Sequence, residues 1–178
     1  KRVKGVYHYY STDQALHDQV SELLATGKVV GWFQGRMEFG PRALGNRSIL
    51  GDPRDPAMQK KLNLKIKYRE GFRPFAPAVL AEDAQYLFEL EGKSPYMLLV
   101  APLRESHRNV LPANFQQLSL WERLYCPRSE LQAITHLDFS ARVQTVHVST
   151  NPKFYNLLQS FKSKTGIGVL VNTSFNVR

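Results

Sequence analysis

Gly35-Arg36-Met37-Glu38-Phe39-Gly40-Pro41-Arg42-Ala43-Leu44-Gly45-Asn46-Arg47-Ser48-Ile49-Leu50 decides how this chain is read. The stretch follows an apolar run at residues 29–33 and closes on a second, shorter one, so the pattern reads strand, loop, strand. Arg36, Arg42 and Arg47 share the loop with Gly35, Gly40 and Gly45. Gly40-Pro41 is a turn dipeptide, and glycine lets the main chain approach a ligand closely or take a positive φ. Arginine offers a planar fork of donors that matches phosphate and carboxylate oxygens. A Gly/Arg loop on its own is as often a solvated basic surface. A second basic cluster tips the reading towards an anion site.

That cluster is Lys67-Tyr68-Arg69-Glu70-Gly71-Phe72-Arg73-Pro74-Phe75-Ala76-Pro77. An extended backbone here would point Lys67 and Arg69 the same way. Arg73 precedes a proline, which biases it to extended or turn conformations. Cations held among aromatic and proline residues lose little side-chain entropy on gripping a phosphate. Like charges this close repel unless an anion lies between them. The cluster therefore reads as half of a ligand site.

Composition sets the outer bounds. At 178 residues, with 43% hydrophobic and 22% charged residues, the chain predicts a single domain with a buried core. No apolar run reaches the length of a membrane span, and Lys1-Arg2-Val3-Lys4 opens no signal peptide. The lone Cys126 excludes an internal disulfide and a cysteine-built metal site, and a cytoplasmic setting fits. The histidines have no metal-ligand spacing, so no metal site is expected. The formal net charge of +9 attracts polyanions, whether nucleic acid, nucleotides or phosphorylated metabolites. Its concentration in short Gly/Pro-punctuated loops favours a compact ligand pocket over a nucleic-acid track.

Elsewhere helices and strands alternate. Ser11 with Gln14 has capping-box spacing ahead of the stripe Ala15, Leu16, Val20, Leu23 and Leu24, which closes near Gly27. Asp55-Pro56 opens a second helix, with Met58, Leu62 and Ile66 at intervals of four. Residues 78–80 predict a short strand, 82–87 a short helix, and 94–101 an apolar strand buried on both faces. Residues 141–146 alternate as a half-buried strand with Arg142, Gln144 and Val146 on one face. Asn151-Pro152 starts a helix carrying Phe154, Leu157, Leu158 and Phe161 and closed near Gly166. A final apolar strand at 167–171 runs into a loop, Asn172-Thr173-Ser174-Phe175-Asn176, at the strand end where open α/β sheets place ligands. Residues 103–138 lack this regularity and read as an irregular insertion, with one short helix at 117–125. The chain stops directly after the Asn/Ser loop, which suggests a fragment of a longer protein.

The arginine loop, residues 67–77, Arg142-Val143-Gln144-Thr145-Val146, Asn151-Pro152-Lys153-Phe154-Tyr155 and Val171-Asn172-Thr173-Ser174-Phe175-Asn176 resemble, in the same order, the C-terminal domain of the nodulation and cephem O-carbamoyltransferases. The resemblance implies an α/β (α+β) domain of YrdC-like fold, a twisted mixed sheet flanked by helices with a basic concave face. It also implies a partner, an ASKHA-like N-terminal domain of the same chain that holds the acceptor. The reaction implied is carbamoyl transfer from carbamoyl phosphate to a hydroxyl through carbamoyl adenylate, made with ATP and Mg2+ as a substrate complex. The Lys-x-Arg and Ser-x-Asn pairs of YrdC-like proteins correspond to Lys67 with Arg69 and to Ser174 with Asn176, the implied catalytic set. Arg42, Arg73 and Arg142 would contact phosphates or the carbamoyl group. Arg36, Arg47, Asn172 and Thr173 complete the candidate binding set.

These residue types suit the chemistry. A mixed carbamic–phosphoric anhydride forms only if the repulsion between carboxylate and α-phosphate is neutralised, best in a water-poor site. Without a Ser-His-Asp or Cys-His pairing, catalysis by positioning and electrostatics is expected. The rival expectation, from the +9 charge, is a duplex-RNA or nucleotide-binding module without catalysis.

Overall fold

The computed structural model describes residues 5–175. Helix α1 (Asp13–Ala25) leads into strands β1 (Val30–Phe33) and β2 (Arg47–Gly51), an antiparallel hairpin that pairs Val30 with Leu50 and Phe33 with Arg47. The arginine loop is the connection of this hairpin. A short helix α2 (Met58–Lys61) continues as a π-helical turn (Leu62–Lys67), and β3 (Ala76–Leu80) and α3 (Ala84–Leu87) follow. Then come β4 (Leu99–Pro102), α4 (Leu120–Tyr125), β5 (Ser140–Val146), α5 (Pro152–Thr165) and β6 (Val169–Ser174).

The six strands form one open mixed sheet in the order β1-β2-β6-β3-β5-β4, in which only β3 and β5 run parallel. Side chains alternate across a strand, so the sheet separates two cores. Leu50, Ala78, Leu80 and Leu170 meet α1 and α5 through Val20, Leu24, Phe154, Leu158 and Phe161. On the other face Ile49, Val79, Val169 and Val171 meet Met58, Leu62, Phe88, Leu103 and Ile134. This is the α/β architecture, a mixed sheet flanked by helices, that the resemblance implies.

Several local expectations shift. The cap of α1 is Thr12, whose Oγ1 accepts from the Ala15 amide at 3.2 Å, rather than Ser11. Asn151 caps α5 as expected, accepting from the Phe154 amide at 3.3 Å, and Gly166 closes it at φ 84°. The stripe Met58, Leu62, Ile66 breaks after Leu62, because a π turn takes more residues per revolution and rotates Ile66 out to 38% exposure. Residues 94–101 do not make a strand buried on both faces: β4 is short and lies at the sheet edge, leaving Leu99 and Val100 exposed. Strand β5 is instead an inner strand, with Gln144 3% and Val146 2% exposed. The final strand runs on through Ser174, so Asn172 and Thr173 pair with Leu50 and Ile49 inside the sheet rather than lying in a loop.

The insertion at 103–138 is irregular, as expected, holding α4 and 3-10 turns at Glu105–His107, Phe115–Gln117 and Gln132–Ile134. Its centre is Arg128, 1% exposed, whose guanidinium donates to the carbonyls of Arg123, Leu124, Cys126 and Thr135 at 2.8–3.3 Å. Among the described residues, no helix is long and apolar enough to cross a membrane.

Gly45 ties the arginine loop to α5. At φ 108°, an added Cβ would stand 2.3 Å from the Phe154 ring. Gly45→Ala is expected to lose about 2 kcal/mol of stability, from backbone strain and overpacking together, read from the urea midpoint. An unchanged midpoint would mean that the loop is not fixed against α5.

Candidate anion site

The arginine loop is ordered by its own polar groups. Glu38 Oε1 accepts from the Leu44 and Asn46 amides at 2.7 and 2.8 Å, and its Oε2 lies 3.5 Å from Arg47 Nε. Arg47 Nη2 donates to the Gly40 carbonyl at 2.5 Å and the Arg42 carbonyl at 3.4 Å. Asn46 Nδ2 donates to the Arg36 carbonyl at 2.7 Å, and Gln34 and Asn151 bond to the Asn46 side chain. Folding the loop in this way presents Arg42 inward.

The loop holding Lys67, Arg69 and Arg73 is tied down by two buried amides that the sequence reading did not single out. Asn63, 0% exposed, donates to the Gly71 and Arg73 carbonyls and accepts from Arg69 Nε at 2.8 Å. Gln59 donates to the carbonyls of Phe72 and Arg73. The backbone is not extended between Lys67 and Arg69: Lys67 ends the π turn and Tyr68 takes a left-handed φ of 48°. Lys67 Nζ donates to the Ser174 carbonyl and lies 3.3 Å from Ser174 Oγ. The Arg69 guanidinium stands over the Phe75 ring, 5.2 Å from its centre.

Arg42, Arg69, Arg142, Asn172, Thr173 and Ser174 line one cavity of about 180 Å3, walled also by Phe75, Ala76 and Met97. Four chain segments, far apart in sequence, thus bring three guanidiniums together with the end of β6, and Lys67 adjoins through Ser174. None of the ion pairs among the described residues involves Arg42, Arg69 or Arg142. The Nε atoms of Arg42 and Arg142 are buried without a hydrogen-bond partner among the described residues.

Other nominated residues lie elsewhere. Arg36 is exposed, Arg73 pairs with Glu70 at 3.1 Å on the surface, and Arg47 is occupied within its loop; none of the three lines the cavity. Asn176 lies outside the described residues. A larger groove of about 720 Å3 between α4 and Phe72 is mostly apolar, and its one arginine is Arg128, already committed to backbone carbonyls.

The cations perturb one another. Burial, then the neighbouring Arg69, holds the Lys67 ammonium below its ordinary range. Burial, then Arg42, lowers Arg142; burial, then Arg73, lowers Arg69 against the opposing pull of Glu70. The sign for Lys67 follows from linkage. A lysine with a depressed folded-state value burdens the folded state fully below that value, and the burden lifts as pH rises towards the unfolded value. An anion bound beside Lys67 removes the depression, so binding at a pH between the ligand-free and the ligand-bound values is expected to take up protons. Calorimetry of ATP binding in buffers of different ionisation enthalpy measures this; no buffer dependence would separate Lys67 from the bound anion.

Comparisons with known proteins identify the family. The family model described as Carbamoyltransferase C-terminus matches residues 21–178. The chain is 45% identical over 161 residues to nodulation protein NolNO of Sinorhizobium fredii, covering 89% of this chain and 21% of that protein. It is 44% identical over 160 residues to the 3'-hydroxymethylcephem-O-carbamoyltransferase of Amycolatopsis lactamdurans, covering 90% of this chain and 26% of the enzyme. A Synechocystis protein, sll1178, shares 62% identity over 176 residues, 99% of this chain and 28% of that protein. The chain thus spans about a quarter of the length of these relatives. With its match reaching from α1 through the final strand, the chain belongs to the carbamoyltransferase C-terminus family.

Proposed function

We propose that this chain is the carbamoyl-adenylate-forming domain of an O-carbamoyltransferase. In this reading it binds carbamoyl phosphate and ATP, the latter with Mg2+ as a substrate complex. It acts with an ASKHA-like domain that precedes it in the same polypeptide and presents a hydroxyl acceptor. ATP as co-substrate implies the cytoplasm as the setting. The single observation that carries the reading is the set of guanidiniums from distant segments that share one small cavity with no carboxylate among its described lining residues.

The chemistry follows from charge. Water cleaves carbamoyl phosphate to carbamate and inorganic phosphate. A carbamate oxygen then attacks the α-phosphorus of ATP, the α–β phosphoanhydride bond breaks, and pyrophosphate leaves with its electron pair. The acceptor hydroxyl finally attacks the carbamoyl carbon, loses its proton, and AMP departs. The second step brings two anions together, and Arg42, Arg69, Arg142 and Lys67 neutralise that repulsion where water is scarce. In this reading Ser174 and Thr173, which pair with Ser48 and Ile49 in the sheet, orient the reacting oxygens by hydrogen bonding. Carbamate decomposes in water, so enclosure protects it.

The test is carbamoyl-phosphate-dependent exchange of labelled pyrophosphate into ATP by the full-length protein. Exchange in the wild type that falls at least about 100-fold in Lys67→Ala supports the reading; exchange absent from the wild type sinks it. A steeply salt-dependent affinity for duplex RNA in place of exchange would favour nucleic-acid binding. Cations set in a cavity rather than along a stripe favour the compact anion.

A further inference from the structure

Asn172 is 1% exposed, lies in the strand between β2 and β3, and lines the cation cavity. Its amide orientation is determined by its neighbours. Nδ2 donates to the Ala43 carbonyl at 3.0 Å and to Gln144 Oε1 at 2.7 Å, while Gln144 Nε2 donates to the Leu44 carbonyl at 2.8 Å. A backbone carbonyl only accepts, so Ala43 fixes the nitrogen of Asn172 and Leu44 fixes that of Gln144. Both amide hydrogens of Asn172 are thereby used. Its Oδ1 is buried and has no partner among the described residues. Native proteins rarely leave such an oxygen unmatched, and an explanation is owed where one lines a ligand cavity.

The other fixed polar side chains around this cavity, Arg42, Arg69 and Arg142, only donate. The Thr173 and Ser174 hydroxyls donate as readily as they accept. A wall of donors suits phosphate and carboxylate oxygens. Apart from those two rotatable hydroxyls it offers no other side-chain acceptor to an –NH2 group, and that group is what distinguishes a carbamoyl from an acetyl of nearly the same shape. Resting on the carbamoyl-donor reading above, we infer that Asn172 Oδ1 accepts a hydrogen bond from the carbamoyl nitrogen and is the specificity-determining group that selects carbamoyl over acetyl. Gln144 acts as a positioning residue, holding the Asn172 amide in this orientation. The Ala43-Leu44 backbone, locked by both amides, links the arginine loop to the selective group.

The experiment compares carbamoyl phosphate and acetyl phosphate as donors in ATP–pyrophosphate exchange by the full-length protein. The wild type is expected to favour carbamoyl phosphate at least about tenfold in kcat/KM, the scale for a buried acceptor denied its donor. Equal use of the two donors overturns the inference without any variant, and means that water rather than substrate meets Oδ1. Asn172→Leu keeps the bulk and removes the acceptor; it is expected to bring the ratio close to one by lowering the carbamoyl phosphate value. A folded Asn172→Leu that keeps the tenfold preference also overturns it. Should that variant not fold, Gln144→Leu replaces it, with the same fall in the ratio expected and an unchanged ratio counting against the assignment. Exchange with neither donor in the wild type is a different result: it removes the carbamoyl-donor reading, and this inference with it.

Discussion

Arg142→Gln is expected to bind ATP about 10- to 100-fold more weakly, while its ligand-free form melts at a higher temperature than the wild type. The first effect is the loss of one charge-assisted contact to phosphate in a sheltered site, worth about 1.5–3 kcal/mol. The second follows from the ligand-free electrostatics. Arg142 is held below its ordinary range, chiefly by burial and then by Arg42, so the folded state bears a cost for this cation that the unfolded chain does not. Glutamine keeps polarity and most of the reach but sheds the charge, and relief of about 1 kcal/mol is expected, the usual scale on which binding sites trade stability for function. Added salt should shrink the difference, because it screens the Arg42–Arg142 repulsion in the wild type. Calorimetry and thermal melts at low and high salt measure both. A lower melting temperature with unchanged ATP affinity would make Arg142 a structural residue and remove it from the site.

Arg128→Ala should cost about 3 kcal/mol or more, the largest single loss expected outside the sheet. The guanidinium serves four carbonyls, of which that of Cys126 also accepts from Gln132 Nε2 at 3.2 Å; three of them lie at the end of α4, where a cation also meets the negative end of the helix. Alanine leaves those acceptors buried and opens a void beneath the apolar groove. Arg128→Lys should recover only part of the loss, since an ammonium on a single stem cannot reproduce the planar fork. Urea denaturation followed by Trp121 and Trp32 fluorescence measures it. A loss below about 1 kcal/mol would mean that the insertion orders itself without this residue.

Both predictions bear on what was readable from the chain alone. The helix of residues 152–165 and its ends were legible, because Asn151, Pro152 and Gly166 are local signals that act through nearby backbone groups. The strands adjoining the two basic loops were legible from their apolar runs. Edge and centre were not: residues 94–101 look more buried than 141–146, yet the first yields an edge strand and the second an inner one. Strand order is set by long-range pairing, which leaves no trace in local composition. The π turn was hidden too, since a run of four-residue intervals reads as an ordinary helix until tertiary contacts and the left-handed Tyr68 unwind it.

By itself, the sequence determined the kind of site: cations in glycine- and proline-bound loops, an Asn/Ser/Thr strand end, and their order along the chain, all of them matters of local chemistry. Only the tertiary structure decided which arginines belong together. It gathers Arg42, Arg69 and Arg142 on one cavity, keeps Arg47 inside its own loop with Glu38, and leaves Arg36 and Arg73 at the surface. It also revealed Asn63 and Gln59 as the residues that hold the second loop, and turned Asn172 from a loop residue into a fixed acceptor in the sheet. The physical reason is the same in each case. An arginine or an amide has the same chemistry wherever it stands, and which partners reach it depends on how strands distant in the chain are brought side by side.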